Sequence, residues 1–307
     1  MADSASLNTM PFADKGQPVA NGALLAAYLR RIGLDEAPAP DASGLAQLQQ
    51  AHRLNIGFEN IDIMLGRPVH IDPGAIVAKL VEGGRGGYCF EHNALFGAVL
   101  AGLGLANRAL LGRVWLGAQG AAGEAPPRTH TLRLVEIDGA PWIADAGFGG
   151  SYVPPLPLVD GAQAITPDGA RHRLRQVGHM GAIGGAWLLE RAGAGKATDG
   201  RAGVAMGAQP EWLAQYSFDL GEVAPVDLEM SNHWTSTRAE TRFTSGVVAS
   251  IVLPDGFAAL TGRRLTMSSR GRSDVLEIAT PSDWRSVLAD LFRIELSAQD
   301  VGALALF

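Results

Sequence analysis

The chain has 307 residues, a formal net charge of −6 and an apolar fraction of 47%. That length exceeds what one core usually serves, so two or three packed units are expected, and the composition is that of a globular protein rather than a disordered one. No block of consecutive Lys or Arg is present, which argues against nucleic acid and anionic membrane surfaces as partners.

The start, Met1-Ala2-Asp3-Ser4, lacks a basic region leading into an apolar one, and no later segment supplies roughly eighteen uncharged apolar residues. A cytoplasmic protein acting on small molecules is expected, as a monomer or a homodimer. The single cysteine, Cys89, can make no internal disulfide and is predicted to be a free thiol.

Leu24, Leu25, Tyr28, Leu29 and Ile32 recur at helical spacing before Gly33, and Asp41 can cap a second helix carrying Leu45 and Leu48. Asp72-Pro73 opens a third helix that Gly83-Gly84 ends, and a fourth starts at Cys89 with Leu95, Phe96, Val99, Leu100 and Leu103 on one face. Residues 1–105 therefore read as a helical bundle. From Arg108 the period changes to two, with strand-like runs at Leu110–Leu116, Thr131–Ile137 and Pro141–Ala146.

Gly- and Ala-rich stretches at Gly117–Gly123 and Gly193–Gly207 read as long loops, the second separating a central β unit, 106–210, from a third unit, 211–307. That last unit holds strand-like runs at Gly246–Leu253 and Val275–Ala279, then a helix opened by Thr280-Pro281-Ser282-Asp283 with Trp284, Leu288, Leu291 and Phe292 inward. No internal repeat is visible.

Cys89 follows the glycine turn Arg85-Gly86-Gly87-Tyr88 and begins a helix. Unpaired N–H groups and the positive end of the helix dipole favour the thiolate, which is the nucleophile. The two glycines are expected to let a substrate approach the backbone.

A base and an orienting carboxylate follow from one hairpin. Thr129–Ile137 alternates, Asp138-Gly139 is a two-residue turn signal, and Ala140–Asp145 returns. With Ile137 facing Ala140, Leu132 faces Asp145, so His130 and Asp145 are same-face diagonal neighbours at roughly 7–8 Å. A three-residue turn would put Asp145 on the opposite face. His92, three residues past Cys89 on its helix, is the alternative base.

The stretch Arg85-Gly86-Gly87-Tyr88-Cys89-Phe90-Glu91-His92-Asn93 closely resembles the cysteine motif of arylamine N-acetyltransferases. Phe58-Glu59-Asn60-Ile61-Asp62, Thr129-His130-Thr131-Leu132 and Ala144–Gly150 extend the resemblance in the family's order over nearly the whole chain. It implies an α+β multidomain fold: an N-terminal helical bundle, a central β-barrel and a C-terminal α/β lid, with a Cys-His-Asp triad like that of cysteine proteases. It also implies Cys89 as the acetylated nucleophile, His130 as its base and Asp145 as the orienting group.

By the same resemblance, Phe58, Thr129 and Phe148 line the acceptor site. Thr129, Phe148, Gly149, His233, Trp234 and Thr237 meet coenzyme A, with Asn232–Thr237 and Phe243 as the family's cofactor segment. Ala239 and Glu240 stand where the family commonly has a proline and a small hydroxyl residue, so Glu240 is left out of that site.

The implied activity is ping-pong transfer of acetyl from acetyl-coenzyme A, a co-substrate rather than a resident cofactor, to aromatic amines, hydrazines or N-hydroxyarylamines. No phosphate-binding loop or paired-cysteine metal cluster is present. Two alternatives share the triad: a cysteine hydrolase or transglutaminase-like enzyme without coenzyme A, and a family member using another acyl donor as an amide synthase.

Overall fold

A computed structural model describes residues 19–116, 125–150, 152–192, 212–269 and 272–307. The expected loops at Gly117–Gly123 and Gly193–Gly207 lie outside the described residues. Helix α1 (Gly22–Ile32) starts where Asn21 accepts the Leu24 N–H and ends at Gly33, whose φ of 73° needs no β-carbon. Asp41 caps α2 (Ala42–Asn55) through the Gly44 N–H at 2.8 Å.

A two-residue strand β1 (Phe58–Glu59) and a short α3 (Ile61–Met64) follow. Asp72 caps α4 (Pro73–Ile76), which continues as a π-helical turn over Val77–Glu82 up to Gly83. The expected third helix is therefore present but widens in its second half. Helix α5 runs Cys89–Gly102, and α1, α2, α4 and α5 share a core built on Tyr28, Leu45, Leu80, Phe96 and Leu100.

The central unit is an antiparallel sheet in the order β5-β4-β3-β2-β9-β8-β7-β6. Its strands are β2 (Asn107–Val114), β3 (Arg128–Ile137), β4 (Ala140–Ala144), β5 (Leu156–Pro157), β6 (Gln163–Ile165), β7 (Arg171–Gln176), β8 (Trp187–Ala192) and β9 (Trp212–Phe218). The segment joining the two edge strands bonds both ways: Leu158 N–H donates to the Pro141 carbonyl and Gly161 N–H to the Leu174 carbonyl, each at 2.8 Å. The sheet is thereby curled into a nearly closed barrel around Leu132, Leu134, Ile143, Leu174 and Tyr216. Strand β9 falls after the division expected at 210, yet it pairs with β2 and β8.

The third unit begins with α6 (Pro225–Thr237), where the sequence shows little apolar periodicity because most of its residues are exposed. The strands β10 (Val248–Leu253), β11 (Gly256–Thr261), β12 (Arg264–Ser269) and β13 (Arg272–Glu277) form a meander with β1 at its edge. Helices α7 (Pro281–Asp290) and α8 (Ala298–Ala303) follow, and Trp284, Leu288 and Phe292 are fully buried.

This unit differs from the α/β arrangement expected. Leu253 pairs with Gly256 and Thr261 with Arg264, and such tight links force antiparallel pairing and leave no chain for crossover helices. No helix among the described residues is long and apolar enough to cross a membrane.

Candidate active site

The β3–β4 hairpin has the two-residue turn that the sequence implies. Asp138 and Gly139 both take positive φ, 51° and 74°, and Ile137 pairs with Ala140, Arg133 with Ala144. Both central residues left-handed is the twist-compatible hairpin turn. The register therefore places His130 and Asp145 on one face, and His130 Nε2 lies 2.7 Å from Asp145 Oδ2, both side chains buried.

Asp145 is held from three sides. Its Oδ1 accepts from Asn93 Nδ2 at 3.1 Å and from the Gly147 N–H at 2.9 Å, and its own N–H donates to Gln49 Oε1 at 2.7 Å. Burial alone would raise the Asp145 carboxyl, but the His130 charge and these donors outweigh it and hold the group below its ordinary range. Every bond on the carboxylate comes from a donor, so the ionised form is the one the site fits.

Cys89 is the first residue of α5 and is buried. The loop before it is fixed by ions: Glu91 accepts the Tyr88 N–H at 3.0 Å and pairs with Lys79 at 2.8 Å, while Arg85 pairs with Glu59 at 2.7 Å. The glycines serve this packing. A β-carbon on Gly86 would lie 2.2 Å from the Gly57 carbonyl oxygen, and one on Gly87 2.8 Å from Glu91 Oε2. The expectation that Gly86 and Gly87 leave room for substrate is thus corrected, since protein atoms occupy that space.

Across the cleft, a β-carbon on Gly147 would lie 2.8 Å from both Cα and O of Cys89, so glycine there lets the strand end touch the Cys89 backbone.

Burial and the Asp145 charge push the Cys89 thiol up, while the Thr131 and Phe90 N–H groups pull it down. The helix start alone therefore does not make a thiolate, contrary to the simple dipole expectation. A cation beside the sulfur would be needed to favour the thiolate.

Cys89 and His130 line one cleft of about 230 Å³, with Phe58, Thr129, Phe148, Gly149 and Trp234 among its walls. Seven of the ten site residues singled out from the sequence thus line it, and an eighth, Asp145, is bonded to His130. His233 and Thr237 are not among the lining residues; they sit exposed on α6, where Thr237 Oγ1 donates to the His233 carbonyl at 2.6 Å. Thr235, Thr241, Arg242 and Phe243 line the cleft instead. Asn232 is buried, bonding Tyr88 Oη and, at 2.9 Å, the Val69 carbonyl, so it holds the scaffold.

His92, the alternative base, bonds to His52 at 2.7 Å and to the Gly57 carbonyl at 3.2 Å, so both of its ring nitrogens are engaged.

Three supporting groups escaped the sequence reading. Buried Arg53 donates to the Phe148 carbonyl at 2.7 Å, with burial lowering its guanidinium to about 10 against the raising effect of Asp145. Gln49 ties Asp145 to the Val153 carbonyl, and Tyr216 packs its ring 4.9 Å from that of His130. The first two could have been found: Leu45, Leu48, Gln49, His52 and Arg53 all share the inward face of α2, where polar residues are unusual.

A family model described as N-acetyltransferase matches residues 41–301. The arylamine N-acetyltransferase of Escherichia coli (strain K12) is 36% identical over 75% of this chain and 73% of its own length. That of Mycolicibacterium smegmatis is 33% identical over 89% and 92% respectively.

Among solved structures, the arylamine N-acetyltransferase from Salmonella typhimurium aligns with a TM-score of 0.80 at 30% identity, covering 94% of this chain and all of that one. The Mycobacterium marinum arylamine N-acetyltransferase, solved in complex with CoA, aligns at 0.77 and 31% identity, covering 91% and 97%.

Proposed function

The chain belongs to the arylamine N-acetyltransferase family, and from that membership we propose that Cys89, His130 and Asp145 carry acetyl from acetyl-coenzyme A to an aromatic amine. The observation that carries this reading is the buried His130–Asp145 bond of 2.7 Å at the wall of the cleft into which Cys89 opens.

With Asp145 accepting at Nε2, Nδ1 is the nitrogen left to take the thiol proton. The Cys89 sulfur attacks the thioester carbonyl, the tetrahedral oxyanion is met by N–H groups at the start of α5, and the carbon–sulfur bond to coenzyme A breaks. The departing thiolate takes the proton from His130. An arylamine, unprotonated at neutral pH, then attacks the acetyl-Cys89 carbonyl and passes a proton to His130 as the Cys89 thiolate leaves. That thiolate regains the proton, and an amide departs.

Phe58, Phe148 and Phe243 give the cleft apolar walls that suit an aromatic acceptor and disfavour hydrolysis of the acyl-enzyme. We assign Thr129, Gly149 and Trp234 to the donor side. Trp234 lies at the rim, 41% exposed, where a flat ring can cover a pantetheine chain or an adenine.

The test is intact mass after mixing the protein with acetyl-coenzyme A in the absence of amine, beside Cys89→Ser. The expected result is a gain of one acetyl group, missing in the variant and discharged by an arylamine or a hydrazine. An unchanged mass while iodoacetamide still labels Cys89 rapidly would overturn the assignment of the donor.

A further inference from the structure

Three buried polar side chains of the helical unit take no part in that cycle: Tyr28, His52 and His92. They form one unbroken chain. Tyr28 Oη lies 2.8 Å from His52 Nδ1, His52 Nε2 lies 2.7 Å from His92 Nδ1, and His92 Nε2 lies 3.2 Å from the Gly57 carbonyl oxygen.

The direction of this chain is fixed by its end. A carbonyl can only accept, so His92 carries a proton on Nε2 and, as a neutral ring, presents a lone pair at Nδ1. His52 must then donate from Nε2, and its Nδ1 must accept from the Tyr28 hydroxyl. With both rings neutral, one tautomer of each satisfies every link. Burial depresses both imidazoles, His92 to about 3, in keeping with that assignment.

The chain ends beside the cleft. Gly57 precedes Phe58, and its carbonyl also accepts the Gly87 N–H at 3.3 Å, two residues before Cys89. The His92 ring lies parallel to that of Phe58, at 3° and 6.2 Å between centroids, and Phe243 packs 5.8 Å from Phe58. A β-carbon at Gly149 would lie 2.7 Å from the Phe58 ring, so the ring has no slack on that side.

We propose that His92, locked in one tautomer by His52 and Tyr28, is a positioning residue that sets the Phe58 wall against Cys89 and so governs how an aromatic acceptor fits. The inference rests on the acetyl-transfer reading above. The position demands an acceptor on one edge, a donor on the other and a flat body to lie along Phe58. Glutamine supplies the two hydrogen-bonding roles without the ring, whereas leucine supplies neither and strands the His52 N–H, leaving the Gly57 carbonyl only the Gly87 N–H.

The experiment separates the two half-reactions in wild type, His92→Gln and His92→Leu, with Tm recorded for each. Acetylation of Cys89 by acetyl-coenzyme A is followed by intact mass, and transfer by the KM and kcat for a one-ring and a two-ring arylamine. His92→Leu is expected to raise the acceptor KM about tenfold, the loss of roughly one hydrogen bond, and to leave the acetylation rate nearly unchanged. His92→Gln is expected to restore most of that KM.

In wild type, ¹⁵N NMR is expected to show His52 and His92 neutral and protonated at Nε2. An unchanged acceptor KM in His92→Leu overturns the inference, as does a KM and an acetylation rate that worsen together with no rescue by glutamine. Should His92→Leu not fold, Tyr28→Phe, which keeps the ring but cannot donate to His52, carries the test, and an unaltered acceptor KM overturns it. A wild-type protein that never becomes acetylated refutes the acetyl-transfer reading itself, a result distinct from any of these.

Discussion

Asp145→Asn isolates the charge and the tautomer of the proposed triad while keeping the shape of the side chain. All three groups on the carboxylate are donors: His130 Nε2 on Oδ2, Asn93 Nδ2 and the Gly147 N–H on Oδ1. An amide has one oxygen. If it satisfies Asn93 and Gly147, its NH₂ faces His130 and drives the imidazole proton onto Nδ1, the atom needed to receive the thiol proton.

Losing a charge-assisted bond costs about 3 kcal/mol, or about two orders of magnitude in rate, and the wrong tautomer brings the expected loss to about 10⁴-fold. The assay is the single-turnover rate of Cys89 acetylation by intact mass, with Tm alongside. A rate within tenfold of wild type in a folded variant would refute the role given to Asp145.

Gly147→Ala would place a β-carbon 2.6 Å from Asn93 Nδ2 and 2.8 Å from the Cys89 backbone, so thermal unfolding should show a loss of about 1–3 kcal/mol and acetylation should slow; an unchanged Tm would count against the close contact. Trp234→Ala should raise the KM for acetyl-coenzyme A with little change in Tm, because the ring is 41% exposed at the rim; an unaltered donor KM would remove Trp234 from the site.

Stability should fall with acidity before the carboxylates titrate. His92 and His172 are depressed to about 3 by burial, so the unfolded chain takes up their protons first. Their stabilising contribution is complete above about pH 6.5 and is lost as pH falls toward 3, at up to about 1.4 kcal/mol per pH unit for each ring. Denaturant midpoints measured between pH 7 and 5 check this, and a flat profile would contradict it.

What the sequence made legible was local. The Asp138-Gly139 turn admits one register, and that register alone brings His130 and Asp145 to one face. Cys89 at a helix start follows from the glycine turn before it. The groups that hold Asp145 in place come from Gln49 and Asn93 on two helices far away in the chain, and no turn or period links them to β4. Their only trace is a polar residue on an inward helical face.

Helix α6 was hidden for the opposite reason. Its residues are mostly exposed and carry no apolar stripe, so Asn232–Thr237 gave no helical signal although Trp234 and Thr235 reach the cleft from it.

The buried polar stripe on α2 joins these points. Gln49, His52 and Arg53 occupy successive inward positions that a core would ordinarily fill with aliphatic side chains, and each bonds toward a different wall of the cleft. Gln49 reaches the Asp145 backbone, His52 reaches Gly57 through His92, and Arg53 reaches the Phe148 carbonyl. Apolar replacements would bury the same area and take these partners from the Asp145 N–H, the His92 ring and the Phe148 carbonyl, at a cost of about 1–3 kcal/mol for each. One helix outside the proposed triad thus braces the Asp145 carboxylate and the aromatic walls on either side of Cys89, and substitutions on that stripe should impair transfer out of proportion to their distance from the sulfur.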